Sequence, residues 1–357
     1  MNLQTIKQSI TIRNRIVPSR IVYQPTESNN CEANGYPTKT TFERYEYLAA
    51  GFPGIIHVES IDVSQEAQAR SNRMVLSEET LPGFIELVSR IRKINTSSLI
   101  IFQLSHAGRL SDPVFKPPVA AYSRGDDDIH VLTTREVEDA RDDFVRCAVL
   151  AWKAGADGID FKQAHGFLAD DFLHPANLRS DRYGGTFENR VRFFHETYSR
   201  MRDQIKDPDF IIGSRISPFE GIPGGCGTAG PDEILEDLTE MREFVKIMER
   251  AGIDFINVSA GYAVANLELL MPSGQYPEGV PRLFSWTRII KETVKIPVIG
   301  SGYSYLRDGK NNLFIQDPRE KSLLAFADKN IGNGFVDMIG IGRQAIADPL
   351  FSEKVLD

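Results

Sequence analysis

Polar side chains recur along the chain just after short apolar runs: Gln24-Pro25-Thr26-Glu27, Glu59-Ser60, Gln103 with His106, Lys162 with His165, Arg215, Ser259, Ser301-Gly302 and Gly342-Arg343. Neutral amides and hydroxyls around one guanidinium suit a polar, planar, electron-accepting heterocycle whose reduced form carries negative charge near one edge. Taken singly, Gln103, Arg215 and His165 read as well as a hydrogen bond at a barrel mouth, a salt bridge and a satisfied polar core group. Their joint placement at successive strand ends points to a ligand. Gly300-Ser301-Gly302 and Gly340-Ile341-Gly342-Arg343 read either as tight turns or as backbone N–H groups left open for an anion. No GxGxxG follows the first apolar run and no GxxxxGK[ST] occurs, which sets aside the Rossmann and P-loop readings.

The elements that must position these groups are β-branched runs at Arg20–Gln24, Gly54–Glu59, Leu99–Leu104, Gly158–Lys162, Ile211–Ile216, Phe255–Val258, Pro297–Gly300 and Met338–Gly340, with amphipathic stretches between them. Eight βα units close a barrel, so residues 1–357 are expected to form a single α/β TIM (β/α)8 barrel. That fold carries its active site on the loops after the strands, and the seventh and eighth loops commonly hold phosphate. After Thr186 as N-cap, Val191, Phe194, Tyr198 and Met201 keep a helical period. A second helix is predicted with Pro231 in its first turn, a stripe of Leu235, Leu238, Met241 and Met248, and Gly252 as its stop. Between strand and helix, Glu220–Pro231 reads as a long βα loop and a candidate lid.

A net charge of -8 offers no footprint for nucleic acid or an anionic membrane. Cys31, Cys147 and Cys226 lie far apart without a CxxC or Cys/His cluster, so no metal is expected and reduced thiols in the cytoplasm are the simple reading. The N-terminal residues show no signal-peptide core, and no run approaches a membrane span. The expected partner is a small-molecule substrate. Homo-oligomerisation is common in such barrels, and no residue sets a subunit number.

Five stretches resemble, in order, the old yellow enzyme family of NADH:flavin oxidoreductases, from about residue 10 to about 350. They are NRIV with RIVYQPTES (14–28), FQLSHAGR (102–109), GIDFKQAHGFL with RSDRYGGTFENRVRF (158–193), GSRISPFE (213–220), and GSGYSYL with VDMIGIGRQAIADP (300–349). The resemblance implies non-covalent FMN reduced by NADH or NADPH, with hydride passed to an activated, carbonyl-conjugated C=C bond. It places Gln24, Pro25, Thr26 and Ser60 beside the flavin and Gln103 on its pyrimidine edge. Arg215 falls against the anionic reduced form, and Ser301, Gly302, Gly342 and Arg343 at the phosphate.

This chain departs from the family pattern where the substrate carbonyl is held. Lys162 and His165 stand where His-x-x-His or His-x-x-Asn is usual, and Phe167 replaces the tyrosine that donates a proton. Lys162 reads as a stabiliser of an enolate-like oxygen or as a stem laid on apolar surface. The proton then comes from Tyr23, Tyr262, Tyr303 or water, or from no donor. Phe115, Phe167 and Tyr262 are candidate substrate walls. Three readings follow: an ene-reductase, an FMN-dependent isomerase or atypical reductase, and a flavin redox module working with a partner domain. Some family members carry a cysteine-bound [4Fe-4S] cluster after the barrel; the residues up to Asp357 contain no such cysteine set.

Overall fold

The computed structural model describes residues 3–114, 116–125, 129–272, 278–305 and 322–357. Eight parallel strands, β1 (Ile21–Tyr23), β2 (Ile55–Asp62), β3 (Leu99–Ser105), β4 (Gly158–Gln163), β5 (Ile211–Ile216), β6 (Ile256–Val258), β7 (Val298–Gly300) and β8 (Met338–Ile341), pair in chain order. Pairing of Ile339–Ile341 with Ile21–Tyr23 closes the ring. Each predicted run is a strand. The largest change is in β2, which continues past Glu59 because pairing resumes at Ile61 with Leu104 and Asp62 with Ser105 after a register shift.

A strand sends alternate side chains to opposite faces, so each run carries one inward and one outward set. Val22, Ile55, Leu99, Ile101, Ile211, Phe255, Ile299 and Met338 form an apolar inner layer with Ile12 and Val17. Those last two belong to an antiparallel hairpin, Ile10–Ile12 with Arg15–Val17, that packs against the amino end of the barrel. Farther along the same strands the inward positions become His57, Gln103, Asp160, Arg215 and Asn257, all buried. The outward set, including Ile100, Phe102, Phe161 and Ile212, joins one large core with Phe84, Leu87, Phe144, Phe194 and Met201 of the surrounding helices. Each such side chain removed from water contributes roughly 1.5–3 kcal/mol.

Thr186 caps the short helix Phe187–Arg190 by accepting from Asn189 N at 3.3 Å, and Arg192–Gln204 follows with Phe194, Tyr198 and Met201 buried, as the period requires. The second predicted helix begins later than expected. It spans Thr239–Ala251 with Met241 and Met248 buried, and it ends at Gly252, whose φ of 95° is the left-handed stop. Pro231 and Leu235 lie before it. There the backbone donors are used in a fold-back, Gly224 N to Glu233 O at 2.8 Å, Ala229 N to Leu235 O at 2.9 Å and Asp237 N to Gly227 O at 2.8 Å, leaving Leu235 68% exposed. Nor does Glu220–Pro231 lie loosely over the site: Glu220, Ile222, Cys226 and Thr228 are buried, and Ala176 N bonds Gly224 O at 3.1 Å. Among the described residues, no helix is long and apolar enough to cross a membrane.

Gly158 opens β4 where a Cβ would run into the Ile211 carbonyl oxygen of β5. Neither backbone can yield without breaking the barrel ladder. Gly158→Ala is expected to destabilise by about 1–3 kcal/mol or more, whereas Gly230→Ala, whose Cβ meets only Glu233 Cγ at 3.6 Å, should leave the urea midpoint unchanged. Equal midpoints for the two variants would show that the strands separate freely there.

Candidate active site

The barrel's polar layer is a hydrogen-bonded ring built from strand ends. Period two puts Asp160 and Lys162 of β4 on the same inner face, and register sets Gln103 beside Asp160 and Lys162 beside Arg215. Gln103 Nε2 donates to Asp160 Oδ2 at 3.0 Å, Asn257 Nδ2 donates to the same oxygen at 3.2 Å, and Gln24 and Asn257 exchange two bonds of 2.9 Å. Arg215 then donates to Gln24 Oε1 at 3.2 Å and to Ser259 Oγ at 3.1 Å. Ser259 Oγ also lies 2.7 Å from His165 Nε2. Burial raises the Asp160 carboxyl, a rise that Arg215 partly offsets. Burial and then Arg215 depress His57 to about 3, so at 3.5 Å from Asp160 it is a neutral neighbour and not an ion-pair partner.

A second charged group lies beside this ring. Arg73, buried, grips Asp62 with bonds of 2.6 and 2.9 Å and meets Glu27 at 2.6 Å. Glu27 Oε1 is 3.6 Å from Lys162 Nζ, which donates to Ser60 Oγ at 3.2 Å and sits 3.2 Å from the centroid of the Phe167 ring. Lys162 therefore faces an aromatic quadrupole instead of water. Burial lowers its amine, Glu27 raises it, and Arg73 and Arg215 lower it again, to about 7. Burial raises the Glu27 carboxyl, but Arg73 and Lys162 bring it down to about 2. His165, pressed down by burial, Arg215 and Lys162, is neutral.

The loop after β1 is clamped from behind. Glu59 accepts from Ser28 N at 2.6 Å and Ser28 Oγ at 2.8 Å and pairs with Arg44 at 3.1 Å, and Arg44 also donates to the Thr26 carbonyl. Pro25 and Thr26 are thereby fixed beside β8, where a Cβ on Gly342 would meet Thr26 Oγ1 at 3.1 Å. After β7, Gly302 takes a φ of 96° and Ser301 Oγ is buried with no hydrogen-bond partner among the described residues. Gly342 caps the short helix Arg343–Ala347 and donates its N–H to Ser304 Oγ at 3.2 Å, with Arg343 exposed at the rim.

Of the three candidate proton-donor tyrosines, two point elsewhere. Tyr23 Oη bonds the Pro349 carbonyl at 2.8 Å and accepts from Ser352 N at 3.1 Å, while Tyr303 Oη accepts from Asn330 at 3.0 Å. Tyr262 is buried against Gly166, where a Cβ would enter its ring, and beneath Arg124 at 4.9 Å. Phe115 lies outside the described residues. Strand-end positions alone do not pick out Asp160, Asn257 and Arg73. The first two were signalled by standing two positions before Lys162 and Ser259, whereas Arg73 sits in a loop with no periodic cue.

A closed parallel barrel with its polar groups gathered at the strands' carboxyl ends is the architecture of a barrel enzyme. A profile of the NADH:flavin oxidoreductase / NADH oxidase family matches residues 5–357, and the chain belongs to that family of FMN-dependent, NAD(P)H-linked oxidoreductases. Over 354 residues it is 31% identical to an NADH oxidase of Thermoanaerobacter brockii, covering 96% of this chain and 49% of that protein. An NADPH dehydrogenase of Bacillus subtilis is 28% identical over 349 residues, covering 96% of this chain and 91% of the relative. The old yellow enzyme homologue of Zymomonas mobilis shares the fold, with a TM-score of 0.72 at 20% identity over 98% of this chain and 92% of that one. The chain thus spans about half the length of the first relative and nearly all of the other two.

Lys162 couples this site to pH. Its folded amine titrates near 7 against an ordinary 10.5, so between those values the unfolded chain binds the extra proton and stability rises with pH. Lys162→Met removes this dependence. The variant's stability advantage over the parent is expected to be largest below pH 7 and to shrink steadily toward pH 10, read from urea midpoints; an advantage independent of pH would show that the amine is not depressed.

Proposed function

We propose that this chain carries hydride from NADH or NADPH, through FMN, to a C=C bond conjugated to a carbonyl. FMN fits the residues present: Gln24, Gln103 and Arg215 are amide and guanidinium partners for the ring's polar edge, with Pro25, Thr26 and Ser60 alongside. The unpartnered Ser301 hydroxyl, Gly302 and Gly342 leave room for a phosphate, with Arg343 at its margin. FMN, when bound, supplies the hydride acceptor and donor. The chain's own part is to bind, orient and handle the proton.

The observation that carries this reading is Lys162, a buried amine between Ser60, Glu27 and the Phe167 face. An ammonium there stabilises an oxygen on which negative charge develops, as in an enolate, and repels a cationic amine substrate. Neutral His165 adds a hydrogen bond without a second charge. Because Lys162 titrates near 7, its protonated form is also a competent acid at neutral pH. It can donate to the enolate oxygen and leave an enol that ketonises in water, which replaces the proton that Phe167 lacks. This favours net reduction over rearrangement.

Anaerobic stopped flow tests the proposal: flavin reduced by NADPH or NADH should be reoxidised by 2-cyclohexen-1-one with formation of the saturated ketone. Failure with enones, enals and unsaturated thioesters alike would overturn it. Lys162→Met should slow this oxidative half-reaction by about 10²-fold or more while reduction by NAD(P)H stays within a few fold. Adding Phe167→Tyr to that variant should restore part of the loss; no recovery would place the acid elsewhere. Separately, Arg215→Ala is expected to weaken FMN retention and lower the flavin potential, and Gln103→Ala to do so less, since a neutral hydrogen bond is worth about half a charged one. Equilibrium dialysis and potentiometry read both effects, and equal losses would reverse that ranking.

A further inference from the structure

Beside the mouth, outside the ring described above, the fold assembles a cluster that no spacing in the sequence announces. Asp170 and His174 follow β4, Glu220 and Cys226 follow β5, and one ligand atom from each lies within 4.8 Å of all the others, with all four residues buried. His174 Nε2 is 2.7 Å from Glu220 Oε2, Cys226 Sγ is 3.4 Å from Asp170 Oδ1, and the Asp170 and Glu220 carboxyls adjoin each other.

Two atoms of this cluster are without a hydrogen bond among the described residues: Glu220 Oε1, and His174 Nε2, which is close to the carboxylate but not angled to bond it. The nearby guanidiniums are engaged elsewhere: Arg109 and Arg124 face Asp171 at 3.0 and 3.7 Å, and Arg190 goes to the Leu173 carbonyl and Glu240. Among the described residues no Lys or Arg pairs with Asp170 or Glu220. Two buried carboxyls and a thiol thus converge on one imidazole, with one backbone N–H to each carboxyl, Gly166 to Asp170 Oδ2 at 2.7 Å and Cys226 to Glu220 Oε2 at 3.2 Å, and no guanidinium or ammonium to balance them.

We propose that Asp170, His174, Glu220 and Cys226 bind a divalent cation of the zinc type. One thiolate, one imidazole nitrogen and two carboxylate oxygens make the mixed N/S/O set that zinc takes in tetrahedral geometry. His174 Nδ1 lies 2.9 Å from Tyr122 Oη and 3.7 Å from Asp171 Oδ1, two oxygens able to accept its proton, while Arg124 Nη2, a donor 3.3 Å from Nδ1, faces the same Asp171 oxygen at 3.7 Å. With the proton on Nδ1 donated to the tyrosine oxygen, Nε2 turns its lone pair to the metal, the arrangement in which an outer partner orients a histidine ligand. Binding displaces the Cys226 proton and the proton shared by the two carboxyls, which leave to solvent.

The site is closed by four protein ligands and so is structural. It ties the loop after β4 to the loop after β5. Asp170 Oδ2 also accepts from Gly166 N at 2.7 Å, next to His165, which holds a φ of 67°. The ion would thereby brace the turn that presents His165 and Phe167.

Elemental analysis of the flavin-loaded protein, purified from zinc-supplemented cells without chelator, is the test. About one zinc per chain is expected, with most of it lost in Cys226→Ser and in Glu220→Gln. Zinc added back to chelator-treated wild-type protein should raise its unfolding temperature, and should not raise that of Cys226→Ser. Wild-type protein that is folded yet holds no zinc and gains no thermal stability from it would overturn the proposal in favour of two carboxyls sharing a proton. So would zinc content that is unchanged in both variants.

Discussion

Arg215 and Asp160 are opposite charges held inside a closed barrel and linked through neutral amides, and the mouth is organised around that pair. Gln103 and Asn257 converge on the carboxylate, while Gln24 links Asn257 to the guanidinium. Either charge alone in this interior would be strongly destabilising, because a buried ion without its partner keeps its desolvation cost. Burial and then Arg215 keep His57 neutral, while the pair gives three amide side chains fixed orientations and leaves the guanidinium aimed toward Ser259 and His165. Below them the apolar layer of Ile55, Ile101, Ile211, Phe255 and Ile299 excludes water from the strands' amino ends, and the field of the pair is correspondingly less screened.

The second charged group, Arg73 with Asp62 and Glu27, sets what Lys162 can do. Burial chiefly lowers the amine, Glu27 is the counterion that keeps the buried ammonium tolerable, and Arg73 and Arg215 lower it further. The amine is thus poised between its two forms near neutral pH, the condition under which a general acid transfers a proton most effectively. Phe167 belongs to the same balance. A phenyl face at 3.2 Å from Nζ offers the cation a quadrupole without competing for its proton, so replacement of a hydroxyl-bearing ring and the presence of a lysine at position 162 are physically complementary changes.

Much of this was legible in the chain. Eight β-branched runs at βα spacing determine a barrel, since parallel strands with intervening helices have few other ways to close. The polar residues just past those runs then necessarily gather at one end, which brings Gln24, Arg215 and Ser259 into contact and sets Gln103 and Lys162 on neighbouring strands. Strand period also holds the signal for Asp160 and Asn257, two positions upstream of Lys162 and Ser259. The helix Thr239–Ala251 starts later than the local pattern of Pro231 and Leu235 predicts, because the fold-back of residues 224–237 takes up backbone donors that a helix would need.

The sequence by itself determined the barrel, the ring of strand-end groups and the departures at Lys162 and Phe167, because these depend on periods and positions within single elements. The tertiary structure alone decided which of those groups touch. That Tyr23 and Tyr303 bond away from the mouth, that Arg73 crosses from a loop to join Asp62 and Glu27, and that Cys226 meets Asp170, His174 and Glu220 are outcomes of how separate βα loops pack. The ionisation of Lys162 likewise came from the fold, because a pKa is set by burial and by charges brought near in space, and Glu27, Arg73 and Arg215 lie far from position 162 along the chain.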